Sequence, residues 1–184
     1  MMRWLLWLVA GALLGGIVHL VAVLILPRTA TQDAYARLSG ITPENAVVAL
    51  PPPTPDTTVL PFTDPSFAIA VCRYDLADAP VKLTLPVSPA YTSVSFYSRT
   101  GVAYYAINDR AAGRRTIELD LMTARQRALL PDDEEVTAAD RLIIESPTRT
   151  GLIVLRALGA EPGLMPMARA ALAQARCRPQ PQQN

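Results

Sequence analysis

From Leu5 to Leu26 the chain carries no formally charged residue, and this run constrains the fold more than any other feature. At about 1.5 Å per residue, a helix of that length reaches roughly 33 Å, enough to cross a hydrocarbon layer of about 30 Å. Arg3 and Arg28 flank the run, Trp4 and Trp7 sit where interfacial aromatics sit, and Pro27 closes it. The expectation is a single transmembrane helix over residues 1–27, in contact with lipid through residues 5–26. The rival is a cleaved signal peptide, whose apolar region is shorter, about 7–15 residues, and ends in small residues. The exit here, Leu26-Pro27-Arg28-Thr29-Ala30, puts Arg28 where a small residue is wanted, which favours the uncleaved anchor.

Within the run, Gly11-x-x-x-Gly15 is a pattern that lets two helices approach closely in lipid; chance is the plainer account, because glycine is common in membrane helices. Gly11 and Gly15 are candidate helix-packing residues on that basis. His19 is the one histidine of the chain. It has no second polar residue in the helix to join it, so a neutral imidazole facing a neighbour or the interface is favoured over a proton relay. Positive charges are nearly balanced across the run, and they leave its orientation open.

The remaining residues suffice for one ordinary domain. With 17 Lys+Arg against 16 Asp+Glu the chain lacks the basic footprint of a nucleic-acid binder. Two cysteines and one histidine cannot complete a tetrahedral zinc site, so neither metal nor cofactor is expected. Pro43, Pro51, Pro52, Pro53, Pro55, Pro61 and Pro65 forbid regular helix and favour extended backbone. Residues 28–65 therefore read as a semi-rigid spacer, with a short polar helix conceivable over 29–38.

Beyond Pro65 the apolar period changes to two. Residues 67–74, 81–85, 91–97, 102–107, 116–121, 142–145 and 152–157 are short runs rich in β-branched and aromatic residues, separated by Pro- and Gly-bearing turns. That pattern predicts a mainly β domain, an antiparallel sandwich, over residues 66–178. A short helix is expected over 123–130 with Thr123 as its N-cap. A longer helix is expected over 162–177, with Pro162 at its first position and Leu164, Met167, Ala168, Ala171, Leu172 and Ala175 along one face. Arg176 and Arg178 would complement the end of its dipole, and residues 179–184 read as a disordered tail.

Cys72 falls in the first strand and Cys177 at the end of the last helix. Two free buried thiols are the plain reading; a disulfide is the sharper one, and it requires an oxidising compartment. Closing a loop of about 100 residues would restrict the unfolded chain by up to about 4.7 kcal/mol in the chain-entropy picture.

Catalytic sets are scarce. Without histidine beyond residue 19, Ser-His-Asp and Cys-His arrangements are excluded there. Lys82 reads as a solvent-facing strand residue rather than half of a Ser-Lys dyad. Asp132-Asp-Glu-Glu135 lacks the pattern of a calcium loop. Glu118 and Asp120 alternate with Ile117, Leu119 and Leu121, which reads as a wet sheet face. Arg110, Arg114 and Arg115 are a candidate anion contact, against the simpler reading of a hairpin tip at Gly113.

The stretch Asp64-Pro-Ser-Phe-Ala-Ile-Ala-Val-Cys-Arg-Tyr-Asp-Leu76 resembles the bacterial domain-of-unknown-function family 1254. Ala79-Pro-Val-Lys-Leu, Tyr91-Thr-Ser-Val-Ser-Phe-Tyr97 and Tyr104-Tyr-Ala-Ile-Asn-Asp109 extend the likeness, which covers roughly residues 60–158. The resemblance implies a β-sandwich exposed in the cell envelope and carries no catalytic residues. Longer relatives join this domain to one of family 1214, which implies association between the two kinds of domain. The reading that follows is a single-pass protein of the inner membrane with its carboxyl domain in the periplasm. That domain would bind another envelope or membrane protein, one carrying a family 1214 domain being a candidate. The competing readings are a carboxylate-dependent envelope enzyme and a sandwich that binds a lipid or small ligand in an apolar cavity.

Overall fold

The computed structural model describes residues 2–29, 33–54, 56, 59–61, 63–113, 115–130, 142–161 and 163–180. The chain divides into two units, Met1–Asp33 and Ala34–Asn184. The first is helix α1, Met2–Thr29, which continues past Pro27. Its Met2–Leu26 portion is long and apolar enough to cross a membrane, and none of it is buried within the protein. Leu, Ile and Val side chains are exposed throughout, which suggests a membrane anchor or a signal sequence.

The second unit is built on two sheets. Short helix α2 (Ala34–Ser39) and strand β1 (Val47–Ala49) lead into β2 (Phe67–Asp75), β3 (Val81–Pro86), β4 (Thr92–Ser98) and β5 (Ala103–Asn108). After the one-turn helix α3 (Asp109–Ala112) come β6 (Thr116–Thr123), helix α4 (Ala124–Arg127), β7 (Leu142–Ser146) and β8 (Thr150–Leu158). Helix α5 (Met165–Ala173) and β9 (Arg176–Pro179) end the described chain. One sheet has the order β1-β2-β8-β4-β5 and the other β7-β6-β3-β9. Among the described strands the pairings are antiparallel except β6 with β7, and Glu44 adds an isolated parallel bridge to Arg73.

Period-two alternation does the packing. Ala70, Cys72 and Tyr74 of β2, Val94 and Phe96 of β4, and Ile153 and Leu155 of β8 face one way. They meet Val81, Leu83 and Leu85 of β3, Ile117, Leu119 and Leu121 of β6, and Ile144 of β7 in one continuous core. Helix α5 adds Ala168 and Leu172 to it. The small side chains of Ala68 and Ala70 leave room for that helix against β2.

The carboxyl-terminal segment departs from the expected long helix. The helix ends at Ala173, and residues 176–179 form a strand paired with β3. Arg176 still serves the helix end, donating from Nη1 to the carbonyls of Ala173 and Ala175 at 3.1 and 3.0 Å. Met167, expected on the buried stripe, is exposed, whereas Ala168, Ala171 and Leu172 are buried. Pro166 occupies the first turn; Pro162 lies outside the described residues. Of the expected tail, Pro179 belongs to β9 and Gln180 donates its N–H to Pro80, while residues 181–184 are outside the described residues.

Cys72 and Cys177 are joined in a disulfide, with their Cα atoms 6.5 Å apart. Because Cys177 lies on β9 and not on the helix, the bond ties one sheet to the other through the core.

Residues 34–54 do not behave as a spacer. Leu38 is fully buried, β1 pairs with β2, and the Leu50 N–H donates to Ile69 at 2.9 Å. Proline excludes helix but not extended backbone lying against a sheet, and the apolar residues between the prolines favour that contact.

The short helix expected after Thr123 is present as α4. Thr123 accepts from the Gln126 N–H at 3.2 Å and Gln126 returns the bond to the Thr123 N–H at 2.9 Å, a capping box.

Candidate functional site

The five-stranded sheet has a second face, turned away from the core. Strand alternation places Phe67, Ile69, Val71 and Arg73 of β2, Leu152, Val154 and Arg156 of β8, and Ser93 and Tyr97 of β4 on it. Val71, Leu152 and Val154 are buried there together with Leu38 of α2. Tyr35, Leu50, Val59, Leu60, Ile69 and Tyr97 pack around them. The segment that precedes β2 is thus a partial cover for this face.

The cover is fastened by polar contacts. Arg73 donates from Nε to the Thr42 carbonyl at 3.2 Å and pairs with Glu44 at 3.0 Å. Guanidinium carbons of Arg99 and Arg73 lie 4.1 and 5.7 Å from the centre of the Tyr35 ring. Cations at those distances are attracted to the ring face. Asn45 adopts the left-handed φ of 54°, and its side chain bonds both the N–H and the carbonyl of Asp75, at 2.9 and 3.1 Å. Asparagine tolerates that conformation, and its amide imitates a strand neighbour.

Where the cover stops, a groove remains. One depression of about 570 Å³ has Ile69, Leu152 and Val154 in its floor and Phe67, Tyr91 and Tyr97 in its walls. Phe67 and Tyr91 meet edge to face, with centroids 6.4 Å apart. A second depression of about 350 Å³ shares Leu60, Thr63, Phe67 and Ile69 with the first and extends to Met165 and Arg169 of α5. Arg156 lines the larger depression from the central strand, between Ile69 and Ser93 in register, and is half-buried. Among the described residues no carboxylate pairs with it. Asp64 stands exposed at the edge, where hydrogen bonds from the Ser66 hydroxyl at 2.6 Å and N–H at 2.9 Å hold its carboxyl below the usual range.

A cluster of hydroxyls sits on the core side of the same sheet. The Tyr74 hydroxyl accepts from Tyr104 at 3.2 Å, donates to the Tyr97 carbonyl at 3.3 Å and meets Ser146 Oγ at 3.0 Å. A Cβ at position 151 would collide with the Tyr74 hydroxyl and the Tyr97 carbonyl, so only glycine fits beneath this cluster. Burial pushes the Tyr104 phenol well above its ordinary value, a hydrogen bond with Ser146 opposing. The hydrogen bonds of the cluster link β2, β4, β5 and β7.

Tyr104 and Tyr105 do not point to opposite faces as strand alternation would have them. Both rings pack against Phe96, at 6.1 and 5.9 Å. The ladder between β4 and β5 slips between Phe96 and Tyr97, and that bulge brings two consecutive side chains to one side.

The other sequence candidates are dispersed. Gly11 and Gly15 lie on α1 with open space around them. Arg110 is exposed on α3 and Arg115 on the connection after it, while Arg114 lies outside the described residues. This connection is not a hairpin tip, because β5 and β6 belong to different sheets. Asn108 caps α3 through the Ala111 N–H at 2.9 Å, and Gly113 ends it at a φ of 61°. Lys82 is a surface residue 3.4 Å from Glu118. Asp120, expected on a wet face, is fully buried. Asp132–Glu135 lies outside the described residues. No group of three His, Cys, Asp or Glu side chains suited to a metal ion occurs among the described residues.

Neither Arg156 nor the groove is among the candidates that the sequence offers. The available signal was the basic residue that interrupts the apolar run Leu152-Ile-Val-Leu-Arg-Ala157.

The sequence model of a family described as a protein of unknown function (DUF1254) matches residues 44–179. No curated protein matches the chain. Among solved structures, the VPA0106 protein from Vibrio parahaemolyticus is similar over 82% of this chain, at 14% identity and a TM-score of 0.58. An uncharacterized protein from Burkholderia cenocepacia matches over 71% at 18% identity, with a TM-score of 0.44. This chain spans 38% of the first structure and 34% of the second. The likeness to the Vibrio protein is one of fold.

Proposed function

The chain belongs to the DUF1254 family, and from that premise we propose that it is a membrane-anchored envelope protein whose β-domain acts by binding. One observation carries the reading: an unburied apolar helix long enough to span a bilayer precedes a domain whose two sheets are tied by a disulfide. Disulfides persist outside the reducing cytoplasm, and long soluble domains translocate largely regardless of their own charge. The amino terminus is then cytoplasmic, the helix sits in the inner membrane, and the β-domain faces the periplasm. The helix exceeds the apolar region of a signal peptide, which supports retention over cleavage.

The partner is another envelope protein. The Vibrio structure is more than twice as long as the region it shares with this chain, so there the domain is joined to further structure. A protein carrying a family 1214 domain is the candidate that the resemblance implies. Gly11 and Gly15 offer a close-approach surface to a helix of that partner.

Alkaline phosphatase fused after Asn184 is expected to be active, and a cytoplasmic reporter at the same place inactive; the reverse result overturns the topology. Affinity isolation of the intact protein from mild detergent is expected to recover a defined second protein. Gly11→Leu with Gly15→Leu is expected to weaken that recovery while the domain stays folded. A chain that is monomeric and alone at native expression levels overturns the association.

A further inference from the structure

We propose that the groove on the outer face of the five-stranded sheet is a binding site for an amphipathic monocarboxylate, with its carboxylate on Arg156 and its apolar chain along Ile69, Val154 and Leu60. The inference rests on reading the domain as a binding module and names a ligand class for it. Its first support is the position of Arg156. The residue is on β8, the central strand of its sheet, and not at an edge or a loop. Its cross-strand neighbours are Ile69 and Ser93, and the residue two positions back on the same face is Val154. A guanidinium does not give up its proton, so burying it part-way among apolar groups must be offset by an anion or by water. No carboxylate of the described residues serves.

The second support is the shape of the polarity. The larger depression, at about 570 Å³, is within the range of small-ligand sites, and the adjoining one lengthens it into a trough past Leu60 and Phe67. Around Arg156 the trough is apolar and aromatic, and Ser93, its cross-strand neighbour, also lines it. Two other charged side chains line the trough. Arg169 is exposed at the far end, on α5, and Asp64 is exposed at the edge with its carboxylate engaged by Ser66. Exposed charges are screened, whereas the half-buried Arg156 keeps most of its field. One half-buried guanidinium matches a single bidentate carboxylate and falls short of what a phosphate dianion calls for.

The test uses the full chain in lipid nanodiscs and a dodecanoic acid carrying a photoactivatable diazirine on its chain, with labelled peptides mapped by mass spectrometry. Label is expected in residues 59–69, 91–97 or 152–156. Unlabelled dodecanoate should compete for it, and dodecanol and dodecylamine should not. Arg156→Leu should lower groove labelling by about tenfold or more, the scale of one charge-assisted hydrogen-bonded pair, and Arg156→Lys should restore part of it. Labelling confined to residues 2–29, or groove labelling that dodecanol displaces as well as dodecanoate does, overturns the proposal on the wild-type protein alone. Equal groove labelling in folded Arg156→Leu overturns it as well. If a partner protein co-purifies with the intact chain while the groove takes no label, the carboxylate site falls and the binding-module reading stands. If both fail, the module reading falls with it.

Discussion

The two faces of the five-stranded sheet are made by the same strands and do opposite things. On the inner face, Ala70, Cys72, Val94, Phe96, Ile153 and Leu155 are closed over by the second sheet. On the outer face, Ile69, Tyr97 and Arg156 are only half-covered, by a short helix and a proline-bearing extended segment. A sheet covered by another sheet has a partner of the same length and twist, so its side chains interdigitate without gaps. A sheet covered by an irregular segment keeps gaps where the segment turns away. The first arrangement makes stability, and the second leaves room for a ligand.

The largest expected effect tests that contrast directly. Leu155→Ala, on the inner face, should destabilise the domain by about 3–5 kcal/mol in chemical denaturation. Val154→Ala, its outward neighbour, should cost only about 1–2 kcal/mol, the value of the methyl groups removed. Equal costs would mean that the outer face is packed as tightly as the inner one.

Next in size is the bond between the sheets. Replacing Cys72 and Cys177 together by alanine should lower stability by about 2–4 kcal/mol, read as a shifted urea midpoint, with membrane insertion unchanged. Because the bond crosses the core, hydrogen exchange should rise in β9 and its neighbour β3 more than in α5. A rise confined to α5 would contradict the cross-sheet role.

A smaller effect sharpens the description of the outer face. Tyr35→Ala removes the ring that Arg99 and Arg73 approach and should cost about 1–2 kcal/mol. Amides of residues 34–50 should then exchange faster while those of β3 and β6 keep their protection. Loss of protection throughout would show that the cover is part of the core and not a separate layer.

The smallest effect appears only in alkali. The Tyr104 phenol is raised in the folded state, so the unfolded chain releases this proton first, near the ordinary value of 10.0. Its contribution is fully present below that pH and is lost as pH rises above it toward the folded value. Tyr104→Phe should flatten the alkaline fall in thermal stability relative to the parent. An identical pH profile in the two proteins would refute the assignment.

Local chemistry made much of this molecule legible in advance. An apolar run from Leu5 to Leu26 has one regular conformation in which its backbone is satisfied without water, so its helix follows from composition. Alternation in Val81–Leu85 and Thr116–Leu121 specifies a strand with one buried face, whatever lies across from it. Thr123 and Gln126 form their capping box within a single turn, and the box needs nothing from the rest of the chain.

Other features were decided only by neighbours distant in sequence. Residues 176–179 look like the end of a helix, but an open edge of β3 offered them a ladder. Asp120 continues the alternation of a wet face and is nevertheless buried. Tyr104 and Tyr105 share a side because β4 and β5 slip by a residue at Phe96. The groove is the extreme case, since its lining comes from α2, the proline-bearing segment, β2, β4, β8 and α5. Hydrophobic period and capping are properties of residues a turn or two apart, which is why α1, α4 and the strands from β2 to β8 were legible in the chain while β1, β9 and the end of α5 were not. Which strand edge is filled, which charge is covered and where a cover leaves a gap depend on contacts closed over long loops, and no local pattern encodes them.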